Sequence, residues 1–160
     1  MKLKLKINNT FDSNVEFIGI STYLKDYQIS LFINKVLNLK LKKIDNLNIN
    51  YNKQDLSFSL YYYEDNDNLR EYFLISNRSI DNGLYMLPLH KQTDFFMIIQ
   101  SSVKKIKPEI SKIIENIRII KNVNLAYIIN ISHIRNFHSF LLNELELHLN
   151  YIKAKNKLNY

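Results

Sequence analysis

The chain has 160 residues, a mass of 19.1 kDa and a formal net charge of +7, and 46% of its residues are hydrophobic. Such a chain is long and apolar enough for one domain with a single core. Because cysteine is absent, disulfides, thiolate metal ligands and cysteine nucleophiles are excluded, and we expect a reducing, cytoplasmic location. The beginning, MKLKLKINN, alternates charged with apolar residues, so we expect neither a signal peptide nor a membrane association.

The positive charge is typical of proteins with a polyanionic partner such as RNA. The residue usage offers a second explanation, because 22 Asn, 23 Ile and 18 Lys against 4 Arg is a profile that AT-rich codons produce on their own. Arginine grips phosphate through two parallel bonds, whereas lysine offers a point charge. The lysines concentrate near the two ends of the chain, whereas residues 61–100 carry more acidic than basic side chains. Direct RNA binding through the Lys-rich termini is therefore an alternative hypothesis.

The first predicted elements are two strands and a helix. Lys2–Ile7 alternates lysine with apolar residues, which indicates a strand with one buried face, and Val15–Ile20 indicates a second strand. Ser21 or Thr22 is suited to cap a helix. Apolar residues at helical spacing then predict that helix over about 23–38.

The middle of the chain predicts strands joined by polar turns. Alternating apolar residues at 47–51 and 56–63, a polar turn at 64–68 and an apolar return at 69–77 predict a hairpin preceded by another strand. Gly83 marks a further turn. Two more strands are expected, a short one at 84–87 that ends before Pro88 and a buried central one at 94–100.

The remaining elements are two helices and one strand. Pro108 suits the first turn of a helix that extends to about Ile120, and Val123–Ile131 is rich in β-branched residues and predicts a strand. Apolar residues every three or four positions predict a helix over about 134–152, followed by a frayed end. We therefore expect an α+β fold, in which a mainly antiparallel sheet of six to eight strands is covered by two or three helices. Residues 1–132 would form the domain, with 133–160 as a helical extension packed on it.

Two blocks of the sequence, FIGISTYLKDY at residues 17–27 and YFLISNRS at residues 72–79, resemble the IPExxxVDY family. The likeness covers roughly residues 1–131. At the place of the naming motif, Ile119 and Tyr127 are kept, whereas Ile120, Lys121 and Ala126 stand for its Pro, Glu and Asp. The family comprises short proteins known chiefly from Bacteroidota without an assigned activity, so the resemblance implies a bacterial protein and names no reaction.

The two blocks that carry this resemblance contain the best polar candidates for a binding site, which are Asp26, Tyr27, Asn77, Arg78 and Ser79. In the functional interpretation, Arg78 binds a carboxylate or phosphate with help from its two neighbours. In the structural interpretation, which we favour, Arg78 pairs with Asp26 while Asn77 and Ser79 turn the chain.

Aromatic and apolar side chains supply two candidate interfaces. Tyr61 and Tyr63 share one face of their strand, and hairpin pairing is expected to place Phe73 beside them. Such rings can stack on RNA bases, but the acidic surroundings favour a covering helix, for which the C-terminal one is a candidate, or a partner protein. The stripe of Phe137, Leu141 and Leu145 is typical of a core-facing helix. Its alternative role is to join two chains as a homodimer.

Catalytic and metal-binding patterns are missing. Of the histidines at positions 90, 133, 138 and 148, no two have the i, i+4 spacing of a zinc-binding helix, and no phosphate-cradling or nucleophile motif occurs. We therefore predict no catalytic residue, metal or cofactor. The favoured hypothesis is a non-enzymatic cytoplasmic adaptor that contacts a protein or ribonucleoprotein. Direct RNA binding is the alternative, and an enzyme with an unfamiliar site at Asp26, Tyr27 and Arg78 is a third hypothesis.

Overall fold

The computed structural model describes residues 14–102, 107–130 and 134–158. The predicted strand Lys2–Ile7 lies outside these residues. The described strands are β1 (Val15–Thr22), β2 (Lys42–Tyr51), β3 (Gln54–Asp65), β4 (Arg70–Ser76), β5 (Phe95–Ser101) and β6 (Val123–Ile128). The described α-helices are α1 (Asp26–Leu37), α2 (Lys107–Arg118) and α3 (Arg135–Leu158).

The six strands form one sheet in the order β2-β3-β4-β5-β1-β6, and every neighbouring pair is antiparallel. The predicted α+β class, with a mainly antiparallel sheet covered by helices, is confirmed. The expected hairpin is formed by β3 and β4, and the expected central strand is β5, which lies between β4 and β1.

Apolar side chains cover both faces of the sheet because successive residues of a strand point to opposite sides. In β5, Met97 and Ile99 pack in a cluster with residues of α1 and α2, whereas Phe96 and Ile98 pack in a second cluster with residues of α3. The described part of the chain therefore forms three layers, with two helices on one face of the sheet and one long helix on the other. The continuous apolar run in β5 is the sequence signature of this double coverage.

Several predicted boundaries are wrong. The N-cap of α1 is Lys25 rather than Ser21 or Thr22, and its N–H donates to the side chain of Gln28 (2.9 Å). The Thr22 hydroxyl instead accepts from the amide of Leu24 and donates to the carbonyl of Asn122. The long C-terminal helix α3 continues to Leu158. The prediction of a frayed end after residue 152 is therefore wrong as far as Leu158.

The predicted strand at residues 84–87 does not form. One isolated bridge joins Arg78 to Tyr85, and Pro88 begins a short 3₁₀-helix, Pro88–His90. This segment belongs to the connection from β4 to β5, which covers residues 77–94. The amide of Leu87 bonds to the buried side chain of Asn77 instead of to a neighbouring strand.

Candidate functional site

The buried side chain of Asn77 holds the connection between β4 and β5. Asn77 is fully buried, and its Nδ2 donates to the carbonyl oxygens of His90 (3.0 Å) and Thr93 (2.8 Å). Its Oδ1 accepts from the amide of Leu87 (2.9 Å). Every polar atom of this amide is therefore satisfied by the backbone of the connection. Asn77 supports the fold and is not free to contact a ligand.

Ser79 and Arg78 bond to the same connection. The Ser79 hydroxyl accepts from the amide of Ser57 (3.1 Å), so it ties the connection to β3. Arg78 Nε donates to the carbonyl of Gly83 (3.1 Å), and the guanidinium lies 5.6 Å from the ring centroid of Tyr85. The expected ion pair between Arg78 and Asp26 is absent from the described structure, because each has other partners. The side chains of Asn77 and Ser79 bond to backbone groups of the chain itself.

Asp26 bonds to the sheet instead. Its Oδ2 accepts from the hydroxyl of Ser59 (2.6 Å), and its Oδ1 accepts from the amide of Tyr27 (2.8 Å). Burial alone would raise the pKa of Asp26, but these two hydrogen bonds and the charge of Lys43 lower it below its ordinary value. The carboxylate therefore anchors the N-terminus of α1 to β3.

Two serines link Asp26 indirectly to the segment around Arg78. The Ser59 amide donates to the hydroxyl of Ser76 (3.1 Å), and that hydroxyl donates to the Arg78 carbonyl (3.3 Å). The structure thus brings the two family-like blocks together through hydroxyl groups. Sequence reasoning missed Ser59 and Ser76, although their alternation with apolar residues in β3 and β4 places them on the face that carries α1.

Tyr27 is the one predicted site residue whose ring extends into solvent. It is 58% exposed, and Leu31, one turn further along α1, is 52% exposed. Tyr23, two residues before the N-cap, is 89% exposed. We call Tyr23, Tyr27 and Leu31 the α1 outer stripe. The opposite side of the helix buries Ile29 and Ile33 against the sheet.

The predicted aromatic strip is divided between the two faces of the sheet. Tyr61 is buried on the α1 and α2 side, and Tyr63 stacks on Tyr72 with ring centroids 6.0 Å apart. Phe73 lies on the opposite face, where its ring centroid is 5.1 Å from that of Tyr62. The expectation that Phe73 lies beside Tyr61 and Tyr63 was wrong. The C-terminal helix α3 lies on the face of Phe73 and not on that of Tyr61 and Tyr63. In the register of the hairpin, Phe73 pairs with Tyr62 instead.

The C-terminal stripe lies in the core of its own chain. Phe137, Leu141 and Leu145 are all buried on α3 and pack in the cluster on that face of the sheet. The core interpretation therefore describes their position, and their side chains are not exposed for a second chain. His148 is half-buried, and its Nε2 lies 2.8 Å from the carbonyl oxygen of Asp45 in β2, at hydrogen-bond distance.

A tyrosine that sequence reasoning did not select joins three elements. The Tyr127 hydroxyl lies 2.5 Å from Thr93 Oγ1 and 3.1 Å from His90 Nδ1. Its ring covers Gly19 of β1, where an added Cβ would lie 2.8 Å from the ring. The available sequence signal was that this tyrosine is kept in the stretch that resembles the naming motif of the family. The Tyr127 side chain joins β6 to β1 and to the 3₁₀-helix.

Within the described ranges, no group of three or more histidine, cysteine, aspartate or glutamate side chains is placed to hold a metal ion. No helix in that part of the chain is long and apolar enough to cross a membrane. Comparison with models of known protein families finds no match, and comparison with curated proteins finds none either. The resemblance to the IPExxxVDY family therefore stays a prediction.

Proposed function

We propose that this chain is a non-enzymatic cytoplasmic adaptor that binds an acidic, apolar segment of a partner protein on the outer face of α1. The observation that carries the proposal is the exposure of Tyr27 and Leu31 on a helix whose other face is buried. Contiguous exposed apolar side chains are typical of interaction surfaces, and tyrosine is enriched among the residues that dominate binding energy.

The α1 outer stripe has the size of a docking site for one peptide segment. Tyr27 and Leu31 are four positions apart on the helix, so they are separated by roughly 6 Å along its axis at 1.5 Å per residue, and Tyr23 adds an exposed ring just before the helix begins. An amphipathic helix or a short extended segment presents apolar side chains over that length.

The charges around the stripe favour an acidic partner. Lys25 and Lys35 are exposed near its two ends, and neither forms an ion pair within the described residues. Asp26, the acidic residue in the first turn of α1, bonds to Ser59 of the sheet. The exposed charge on this helix is therefore positive, and charge complementarity contributes to the choice of partner and to the association rate.

The contacts of the other site candidates also favour binding by α1 over catalysis. A catalytic constellation needs a nucleophile or base within hydrogen-bond reach of its partners. In the described structure, no side chain to side chain hydrogen bond joins Asp26, Tyr27 and Arg78. The Arg78 side chain contacts Gly83 and Tyr85.

The test compares two exposed leucines on two helices. Leu31 is 52% exposed on α1 and Leu147 is 56% exposed on α3, so Leu31→Asp and Leu147→Asp are matched variants. The tagged protein and both variants are purified from the native cells, with and without ribonuclease. We expect Leu31→Asp to reduce the recovered partner by about tenfold, which corresponds to a hot-spot loss, and Leu147→Asp to leave it unchanged.

Two results would contradict the proposal. Equal recovery with both variants would remove the α1 outer stripe from the interface. Loss of the partner after ribonuclease, together with binding that weakens linearly with the logarithm of salt concentration, would favour direct RNA binding through the lysines.

A further inference from the structure

The two edge strands of the described sheet differ in charge. Edge strands of natural proteins commonly carry charged residues, which hinder the addition of a further strand. The β2 edge follows this rule, because Lys42, Lys43 and Asp45 all lie in that strand. The β6 edge has the sequence VNLAYI and contains no charged residue. Of the two edges, β6 is therefore the one that is open to a further strand.

The backbone of β6 directs alternate residues toward β1 and away from it. The amide of Ile129, just after β6, donates to the carbonyl of Phe17 (2.9 Å), so the preceding residues alternate from that position. The N–H and C=O groups of Ala126 and Ile128 consequently point to the outer edge. The Ala126 carbonyl accepts from Arg118 Nε (3.0 Å), and the other three groups form no hydrogen bond with a residue that the structure describes.

Exposed apolar side chains accompany these outward backbone groups. Leu125 is 42% exposed and Ile128 is 46% exposed. Because side chains alternate along a strand, Leu125 lies on the same face as Tyr127, which packs in the cluster under α3. Ile128 lies on the same face as Ala126, which packs in the cluster under α1 and α2. An added strand would therefore contact one exposed apolar side chain on each face of the sheet.

The charge beside the outer edge of β6 is positive. Arg118, whose Nε bonds to the Ala126 carbonyl, is exposed at the end of α2, and Lys121 is exposed in the turn that follows. Neither forms an ion pair with a residue in the described ranges. The acidic residue nearest to them in the sequence is Glu115, and none occurs from there to residue 131. An acidic segment would therefore complement this edge.

We propose that the outer edge of β6 binds an extended, acidic segment of a partner protein as an added strand. Strand addition of this kind takes its affinity from main-chain hydrogen bonds and its specificity from alternate side chains. Charge complementarity favours this occupant over two others. A second copy would bring its own Arg118 and Lys121 to the same edge, and the N-terminal segment of this chain carries Lys2, Lys4 and Lys6. The proposal rests on the backbone of β6 and not on the α1 outer stripe.

Hydrogen exchange of single amides in the full chain tests whether the edge is open. At low protein concentration, the outward amides of Ala126 and Ile128 should exchange at least about tenfold faster than the β1-facing amides of Tyr127 and Ile129. Protection of the outward amides at every concentration would mean that the chain covers its own edge. Protection that grows with protein concentration would mean that a second copy covers it. Either result would overturn the proposal.

Blocked peptides of alternating sequence test the chemistry of the occupant. EVTVTVE is the acidic probe, KVTVTVK is its basic counterpart, and a fully N-methylated EVTVTVE keeps the charge but has no amide donor. We expect EVTVTVE to slow the exchange of the Ala126 and Ile128 amides in a saturable manner, and the other two peptides to bind at least about tenfold more weakly. No slowing with EVTVTVE, or equal effects of the three peptides, would overturn the proposal.

Substitutions then locate the binding of EVTVTVE at β6. Ile128→Pro removes one outward N–H, which an edge strand tolerates, and should weaken binding about fivefold. Lys121→Glu should weaken it about threefold and strengthen the binding of KVTVTVK. The matched control is Lys153→Glu, exposed on α3, which bonds to β2 at the opposite edge of the sheet.

Lys121→Glu leaves the backbone of β6 unchanged, so it decides the matter even if Ile128→Pro lowers the urea unfolding midpoint. An unchanged affinity in Lys121→Glu, or an equal loss in Lys153→Glu, would overturn the proposal.

Discussion

Replacing Asn77 with Ala removes three hydrogen bonds from the interior of the protein. The carbonyls of His90 and Thr93 lose their donor, and the amide of Leu87 loses its acceptor. Asn77 is fully buried, so the substitution also leaves a space in the interior of the protein. With a net loss of about 1 kcal/mol for each bond, the free energy of unfolding should fall by about 3 kcal/mol.

Equilibrium unfolding in urea measures this loss. Asn66→Ala is the matched control, because Asn66 lies in the exposed turn between β3 and β4, and it should change the free energy of unfolding by less than about 0.5 kcal/mol. Asn77→Asp keeps the size of the side chain but places an acceptor opposite two carbonyl oxygens, so it should also destabilise the protein. A loss below about 1 kcal/mol in Asn77→Ala would refute the claim that this side chain holds the connection.

Three further predictions concern the helices and the sheet. Leu145 is buried on α3, so Leu145→Ala should lower the free energy of unfolding in urea by about 2–4 kcal/mol. Leu147 is exposed on the same helix, so Leu147→Ala should lower it by less than about 0.5 kcal/mol. Similar losses in the two variants would contradict the placement of α3. Gly19→Ala places a Cβ 2.8 Å from the Tyr127 ring and should lower the free energy of unfolding by about 1–3 kcal/mol. If the same loss is measured in a Tyr127→Ala background, contact with the tyrosine ring is not its cause. Because the pKa of Asp26 is lower in the folded than in the unfolded chain, its ionised form stabilises the protein above its unfolded pKa, and this contribution is lost as the pH falls through its folded pKa. Stability curves of the protein and of Asp26→Asn should therefore converge as the pH falls below the ordinary pKa of an aspartate side chain, and parallel curves would count against the contribution.

Local patterns predicted most of the fold. The alternation in β3 and β4 and the apolar run in β5 are repeated signals of pairing and burial, and they identified the hairpin and the central strand. The short strand expected at 84–87 failed because Asn77 bonds to the backbone amide of Leu87, a contact that joins residues ten positions apart. No periodic pattern in the sequence encodes a bond of this kind. The predicted cap of α1 was wrong for a similar reason, because the Thr22 hydroxyl donates to the carbonyl of Asn122, which is distant in the sequence.

The candidate site was predictable in its parts and not in its roles. The sequence selected Asp26, Tyr27 and Asn77, but only the tertiary structure shows that two of them bond to the fold and one extends into solvent. Phe73 was assigned to the wrong face because the register of the hairpin, which pairs it with Tyr62, depends on the exact turn.

The most direct test of the proposed adaptor function is photo-cross-linking at one defined position. Tyr27 and Tyr151 are 58% and 62% exposed on α1 and α3, so a benzoyl-phenylalanine at either site samples the surface equally well. We predict that position 27 cross-links to a partner protein in native cells, with or without ribonuclease, and that position 151 does not. Equal cross-linking at both positions, or cross-linking at position 27 to RNA alone, would contradict the account.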